Sequence, residues 1–215
     1  MKKAIFFDLD GTLTDPGQGI TNSVMYALEH FGIQVRDRRE LYRFIGPPLT
    51  DAFRQYYGFS QTQAREALRL YRVYFADRGI FENELYPGVP RMLGALREVG
   101  LRLAVATSKP EEYAARILEH FQIDGFFELL AGNTLQEERP TKGEVIAYAL
   151  KKLSLLPEEA VMVGDRSHDV IGAAENGMAA VGVLYGYGSR RELEDAGAVR
   201  IAATVEELTR LLPAL

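Results

Sequence analysis

Two aspartates separated by one residue, Asp8 and Asp10, end a short apolar run near the start of the sequence. The run Ala4–Phe7 has the composition of a buried strand, and residues i and i+2 of a strand point to the same side. The two carboxylates therefore lie together where Gly11-Thr12 turns the chain, and they repel each other. A hard, oxygen-seeking cation such as Mg²⁺ would hold this pair. Carboxylate pairs of this kind are suited to phosphate-ester chemistry, because a carboxylate can act as the nucleophile.

Hydrolysis of a phosphate monoester at neutral pH needs a nucleophile, a proton for the leaving group and positive charge around the phosphoryl oxygens. Asp8 stands at the last ordered position of the predicted strand and is predicted to be the nucleophile. Asp10 is predicted to be the general acid that protonates the leaving oxygen, and then the base for the water that attacks the aspartyl-phosphate. Gly11 is a candidate for a supporting role in the turn.

Three further segments carry groups that this chemistry could use. Thr107-Ser108-Lys109 precedes a predicted helix, and hydroxyls together with free N–H groups at a helix start form an anion site. Lys142 begins another predicted helix, where a lysine is unfavourable unless an anion lies in front of it. Asp165 ends a buried strand, and Asp169 follows one helical turn later. Asp165 can bind a metal ion together with Asp8, while Asp169 can hold the metal or an ordered water from outside the first coordination sphere.

Each of these segments also has an ordinary structural explanation. An Asp-Gly turn, a helix cap, a solvated lysine and a solvated acid are all common in proteins. All four segments nevertheless occur in one chain, each at a predicted strand end or helix start. This coincidence favours a single site assembled from the four segments.

Apolar runs and helical patterns alternate along most of the chain. Strands are predicted over Ala4–Asp8, Leu101–Thr107, Phe126–Ala131, Ala160–Gly164 and Ala180–Leu184. Helices are predicted over Val89–Val99, Glu111–Phe121, Lys142–Leu153 and Val170–Asn176. The alternation predicts an α/β fold, a Rossmann-like parallel sheet wrapped by helices. Ligands collect at the carboxyl ends of the strands in such sheets, and Asp8, Thr107 and Asp165 each lie at such an end.

One segment, from about Gly17 to Asn83, has only helical periodicity. Helices are predicted there over Ile20–Phe31, Asp37–Phe44, Leu49–Tyr57 and Thr62–Arg78. We therefore predict an α/β core domain of residues 1–15 and 84–215, and an inserted α-helical domain of residues 16–83. An insertion after the first strand has the position expected of a lid over a site at the end of that strand.

The composition is that of an ordinary globular protein, with 47% hydrophobic and 26% charged residues. A net charge of −5 argues against a nucleic-acid polymer as partner, and the absence of cysteine excludes disulfides and thiolate chemistry. Asp8 and Asp10 interrupt the first apolar run too early for a signal peptide, and no run approaches the ~20 apolar residues that span a membrane. We expect a cytoplasmic protein that acts on a small molecule without a membrane partner, as a monomer or weak homodimer.

The four segments together resemble the motifs of the haloacid-dehalogenase superfamily of aspartate-nucleophile phosphatases, namely Asp8-x-Asp10-Gly11-Thr12, Thr107-Ser108, Lys142 and Gly164-Asp165-x-x-x-Asp169. At finer grain the chain looks like the phosphoglycolate-phosphatase-type members, in Phe44–Leu49, Ala106–Pro110 and Gly182–Ser189. The resemblance implies that Asp8, the backbone carbonyl of Asp10, and Asp165 bind Mg²⁺. It also implies that Thr107 and Lys142 bind the phosphoryl group, and that the helical insertion is the small cap of that family.

The sequence leaves several alternatives open. The substrate is expected to be a small cytosolic phosphate ester, either of the phosphoglycolate type or a nucleoside monophosphate, and the loop Gly132–Arg139 departs from the Gly-Ser-x-Leu-Asp-Gly-x-Arg pattern of relatives. A phosphotransferase or sugar-phosphate mutase would use Asp8 in the same way but pass the phosphoryl group to a hydroxyl. A phospho-aspartate signalling module would keep the group on Asp8 without turnover. An assay of the product distinguishes the three functions.

Overall fold

A computed structural model describes residues 2–136 and 138–215, so that within the loop Gly132–Arg139 residue Glu137 lies outside the described residues. The chain divides into two compact units. One contains the residues up to Thr14 together with Leu85–Leu215, and the other contains Asp15–Glu84. Of the helices that the structure describes, none has the length and apolar character needed to cross a membrane.

The described strands form one sheet of six and one of two. In chain order they are β1 (Ala4–Phe7), β2 (Thr14–Asp15), β3 (Glu84–Leu85), β4 (Arg102–Pro110), β5 (Leu129–Asn133), β6 (Ala160–Gly164), β7 (Ala179–Val183) and β8 (Arg200–Ala202). The six-stranded sheet lies in the first unit and has the strand order β5-β4-β1-β6-β7-β8. The two very short strands β2 and β3 pair with each other.

Every pair of neighbouring strands in the six-stranded sheet is parallel. Phe7, the last residue of β1, is in register with Val105 of β4 on one side and with Val163 of β6 on the other. The residues that follow these three positions therefore meet at one edge of the sheet. The predicted parallel α/β fold is confirmed.

Helices connect the strands in the first unit and make up most of the second. They are α1 (Gly17–Glu29), α2 (Leu49–Tyr57), α3 (Gln61–Tyr74), α4 (Val89–Glu98), α5 (Glu111–His120), α6 (Lys142–Leu153), α7 (Ser167–Glu175), α8 (Arg190–Asp195) and α9 (Val205–Leu211). Short 3₁₀ turns cover Arg38–Phe44, Asp124–Phe126, Pro157–Glu159 and Leu212–Ala214, and a π-helical turn covers Phe75–Gly79.

The start of α6 is fixed by a capping box. The Thr141 hydroxyl accepts a hydrogen bond from the Glu144 backbone N–H at 3.2 Å, and the Glu144 carboxylate accepts one from the Thr141 N–H at 3.0 Å. Below this cap, Val145, Ile146 and Ala149 are fully buried in the core cluster that includes Phe6 and Met162. The helix is thus held at its start and along its apolar face, and Lys142 occupies its first position.

Several elements differ from the sequence-based expectations. Strand β5 begins at Leu129 instead of Phe126, because Asp124–Phe126 forms a 3₁₀ turn. Strand β4 continues to Pro110, although its regular pairing with β5 ends at Ala106 and resumes only at Pro110. The short elements α8, β8 and α9 were not predicted, since each covers fewer than two helical turns or only three residues.

Candidate active site

Six charged side chains are buried among the residues that the structure describes, and all six were singled out in the sequence: Asp8, Asp10, Lys109, Lys142, Asp165 and Asp169. Asp8 follows β1 directly, Lys109 lies near the end of β4, and Asp165 follows β6. Because these strands are parallel neighbours, their carboxyl ends bring the side chains to one edge of the sheet. Buried charges normally require partners, and the contacts of these six describe the site.

Lys142 links the predicted nucleophile to the second acidic motif. Its ammonium donates a hydrogen bond to Asp8 Oδ1 at 2.8 Å and to the Ala106 carbonyl at 3.0 Å, and it lies 2.8 Å from Asp169 Oδ1. Burial alone would lower the pKa of the Lys142 ammonium, but the carboxylates of Asp169 and Asp8 outweigh burial and raise that pKa. Lys142 therefore stays charged beside Asp8.

Asp165 is held by the backbone of a glycine-rich loop. Its Oδ2 accepts a hydrogen bond from the Tyr187 N–H at 2.7 Å, while its Oδ1 is buried with no hydrogen-bond partner in the described part of the chain. Gly11, at φ +85°, and Gly186 approach the Asp165 carboxylate so closely that a Cβ on either would collide with it. The loop thus leaves one carboxylate oxygen available for a ligand.

The oxygens of three acids converge at this place. One oxygen each from Asp8, Asp165 and Asp169 lies within 4.8 Å of the others. Burial, followed by repulsion from Asp169 and Asp8, raises the pKa of the Asp165 carboxyl well above its ordinary value. Burial likewise raises the pKa of Asp169 to about 6, against the opposing effect of Lys142. Lys142 alone therefore does not offset the effects of burial and mutual repulsion on these carboxyls.

The predicted general acid has a cation of its own. Lys109 Nζ lies 2.7 Å from Asp10 Oδ2, and both side chains are buried. Burial raises the pKa of the Asp10 carboxyl, in spite of the opposite effect of Lys109. The three converging acids do not include Asp10. Its side chain forms a separate ion pair with Lys109 at the same edge of the sheet.

Of the two predicted phosphate-binding hydroxyls, Thr107 is buried and Ser108 is partly exposed. The Thr107 hydroxyl accepts a hydrogen bond from the Lys109 backbone N–H at 3.3 Å. This contact lies in the irregular stretch between Ala106 and Pro110, where β4 leaves its regular pairing with β5. The irregularity leaves backbone groups of this stretch outside the regular hydrogen-bonding pattern of the sheet.

Sequence reasoning did not assign a role to Arg139 or Glu111. Arg139 Nη2 lies 2.7 Å from Glu111 Oε1, and its Nε donates to the Gly132 carbonyl at 2.7 Å. Glu111 Oε1 also accepts from the Gly132 N–H at 3.1 Å, and the guanidinium stacks 4.3 Å from the centre of the Tyr148 ring. Because Glu111 follows the Thr107 loop and Arg139 precedes Lys142, this cluster joins the two loops.

Replacing Arg139 with methionine is expected to lower the free energy of unfolding by about 1–2 kcal/mol, because Glu111 and the Gly132 carbonyl lose a charged donor in a partly buried place. Urea unfolding measures the change. Arg191→Met is the matched control, since Arg191 and its partner Asp195 are 91% and 72% exposed and that pair should contribute little. Equal stabilities for the two variants would show that the Arg139 cluster does not hold the loops.

Sequence reasoning also missed Tyr187 as a contact of Asp165. Its contribution comes from the backbone, so the residue type gives no signal. The signal in the sequence is the pair Gly186 and Gly188. The structure explains both glycines, because a Cβ at either position would collide with Asp165. A glycine on each side of a residue after a strand indicates a loop packed closely against another part of the chain.

Comparison with known proteins agrees with this arrangement. The profile of the family described as haloacid dehalogenase-like hydrolase matches residues 5–183. A 5'-nucleotidase of Pseudomonas aeruginosa is 44% identical over 208 residues, covering 97% of this chain and 94% of the relative. A tyrosine-protein kinase PtkA of Mycobacterium tuberculosis is 43% identical over 210 residues, covering 97% of this chain and 72% of the relative.

The similarity extends to the three-dimensional structure. The crystal structure of a predicted phosphatase from Clostridium acetobutylicum superposes with a TM-score of 0.98 at 44% identity, covering 100% of both chains. The matched family region includes all six buried charged side chains and the strands that carry them. The chain therefore belongs to the haloacid dehalogenase-like hydrolase family, as one of its phosphatases.

Proposed function

We propose that the chain hydrolyses a small phosphomonoester with the help of Mg²⁺, through an aspartyl-phosphate on Asp8. The observation that carries the proposal is the buried contact of Asp8 Oδ1 with Lys142 Nζ at 2.8 Å, beside two further acids. The carboxylate supplies a nucleophile, and the ammonium supplies positive charge where a phosphoryl group would meet it.

The donor set fits a hard divalent cation. Phosphatases of this family generally use a metal ion, and the four buried carboxylates here face only two buried ammonium groups. Asp165 Oδ1 is a buried oxygen without a hydrogen-bond partner in the described residues, and it belongs to the triad of converging acids. Asp8, Asp165 and the backbone carbonyl of Asp10 would hold Mg²⁺, with Asp169 in support. When bound, the ion neutralises negative charge on the phosphoryl oxygens.

The proposed reaction has two steps. In the first, an Asp8 carboxylate oxygen attacks phosphorus, the bond from phosphorus to the ester oxygen breaks, and Asp10 gives its proton to that oxygen. In the second, Asp10 takes a proton from water, the water oxygen attacks phosphorus, and the bond to Asp8 breaks. Lys142 and the Thr107–Ser108 loop hold the phosphoryl group in both steps. Inorganic phosphate leaves and Asp8 is restored.

Two features guide the choice of substrate. The relative named 5'-nucleotidase supports a nucleoside 5'-monophosphate, and the phosphoglycolate-type motifs support phosphoglycolate. We further propose that the helical residues 16–83 act as the cap that selects between such esters. The relative named a tyrosine-protein kinase favours phosphotransfer to a hydroxyl as the second candidate function.

The proposal predicts that phosphate release depends on a divalent cation. The purified chain is incubated with adenosine 5'-monophosphate, phosphoglycolate and sugar phosphates, and free phosphate is measured with Mg²⁺ and with excess EDTA. We expect turnover with Mg²⁺, its loss in EDTA and its recovery with added Mg²⁺. Mg²⁺ should also raise the melting temperature of the free chain, since binding to the folded state alone stabilises it.

Full turnover in EDTA would remove the metal from the proposal. Transfer of the phosphoryl group to an added alcohol or tyrosine peptide, without release of free phosphate, would favour the phosphotransferase instead. A phosphorylated chain that does not turn over would favour the signalling module.

A further inference from the structure

We propose that Lys109 is a positioning residue for Asp10. Its ammonium holds one carboxyl oxygen of Asp10, so that the other oxygen is oriented to donate a proton to the leaving group. This inference rests on the proposed function, in which Asp10 is the general acid. Its starting point is a difference between the two carboxylate oxygens. Oδ2 lies 2.7 Å from Lys109 Nζ, whereas Oδ1 is buried with no hydrogen-bond partner in the described ranges.

The backbone around Asp10 is already fixed, which leaves the side chain as the part that needs orienting. The Gly11 N–H donates to the Thr14 carbonyl at 2.8 Å, and Asp10 forms an isolated bridge with Thr14. Rotation about the side-chain bonds of Asp10 is then the remaining freedom. The contact with Lys109 restricts that rotation, since turning Oδ2 away would leave the buried Lys109 ammonium without this partner.

Lys109 is itself fixed at both ends. Its backbone N–H donates to the Thr107 hydroxyl at 3.3 Å, and its side chain is only 6% exposed. The same residue therefore contacts the predicted phosphate-binding loop through its backbone and the predicted acid through its ammonium. This arrangement sets the position of Asp10 relative to Thr107.

The two buried lysines contact different acids. Lys142 contacts Asp8 and Asp169, and Lys109 contacts Asp10. A buried ion pair is seldom more stabilising than a pair of apolar side chains of similar volume, so stability alone does not explain a second one here. The contact of the Lys109 ammonium with Asp10 is explained if the orientation of the Asp10 carboxyl group determines the rate of proton transfer.

The proposal predicts an effect that depends on the leaving group. Adenosine 5'-monophosphate and phosphoglycolate release alkoxides, which need a proton, whereas p-nitrophenyl phosphate releases a phenolate that is stable without one. For Lys109→Met we expect kcat/KM to fall about 30-fold on the alkyl esters and less than about threefold on p-nitrophenyl phosphate. The ratio kcat/KM is measured because it excludes the later attack of water, which is common to all substrates.

Three further variants complete the experiment. Lys109→Arg keeps the charge and should recover most of the rate on the alkyl esters. Lys109→Gln keeps a hydrogen-bond donor without the charge, and it replaces Lys109→Met in the experiment if the methionine variant does not fold. For Lys109→Gln we expect a smaller loss of kcat/KM, again confined to the alkyl esters. Lys3→Met is the control, because Lys3 is exposed just before β1, at the opposite end of the strand from Asp8.

The result that overturns the inference is a Lys109→Met loss that is equal on both kinds of ester, or no loss on either. An equal loss would place Lys109 in phosphate binding or in folding. Asp10→Asn tests the underlying assignment separately: it should lower the rate on alkyl esters by about 10²-fold or more. If Asp10→Asn spares the alkyl esters, the general-acid role fails, and the failure belongs to the proposed function instead of to Lys109.

Discussion

Replacing Asp8 with asparagine is expected to lower kcat for phosphate release by about 10⁴-fold or more, because an amide oxygen is too poor a nucleophile to attack phosphorus and replace the carboxylate in the covalent step. The change removes a charge but almost no volume. Lys142 keeps Asp169 at 2.8 Å and the Ala106 carbonyl at 3.0 Å, so its ammonium stays paired. The variant should therefore fold, and circular dichroism together with free-phosphate release measures both properties.

The same substitution at an exposed acid is the control. Asp195 is 72% exposed, and Asp195→Asn should keep full activity. A second measurement is more direct: the wild-type chain is quenched in acid during turnover, and the phosphoryl group is located by peptide mass spectrometry. We expect it on the peptide that contains Asp8, and on no peptide of Asp8→Asn. Undiminished turnover by Asp8→Asn would exclude Asp8 as the nucleophile.

The sequence was sufficient for elements with strong local signals. Helix α6 and strand β6 have the predicted bounds, Lys142–Leu153 and Ala160–Gly164. The helix has a Thr141 cap at its start, and the strand is an unbroken apolar run. The last strand, β8, has only three residues, one of them exposed, and its place in the sheet depends on pairing with β7. Pairing of that kind is tertiary, so no short window of sequence contains it.

The same distinction applies to the site. Strand ends and helix starts pointed to each acid and lysine separately, but not to which lysine meets which acid. Lys109 pairs with Asp10, although it follows Asp10 by 99 residues in the sequence, because β4 lies beside β1 in the sheet. The Arg139 cluster was missed for a related reason. An arginine in a polar loop looks solvated until the fold brings Glu111 to it.

Replacing Lys142 with methionine is expected to have two separable effects. Phosphate release should fall by about 10³-fold, because positive charge at the phosphoryl group is lost. The chain without metal should also lose roughly 3–5 kcal/mol of unfolding free energy, because the Asp8 and Asp169 carboxylates are left buried without their shared cation. Asp8, Asp169 and Lys142 are 6%, 2% and 4% exposed, so water cannot replace the ammonium. Urea unfolding in EDTA measures the second effect.

Mg²⁺ distinguishes the two effects of Lys142→Met. A divalent cation on the converging acids restores positive charge between them, so the variant should regain part of its stability when Mg²⁺ is added. Its activity should stay low, because a cation held by the carboxylates does not replace an ammonium on the phosphoryl group. Lys151→Met, at an exposed position of the same helix, should change neither property. If Mg²⁺ restored turnover along with stability, Lys142 would act only as a structural counter-ion to the acids.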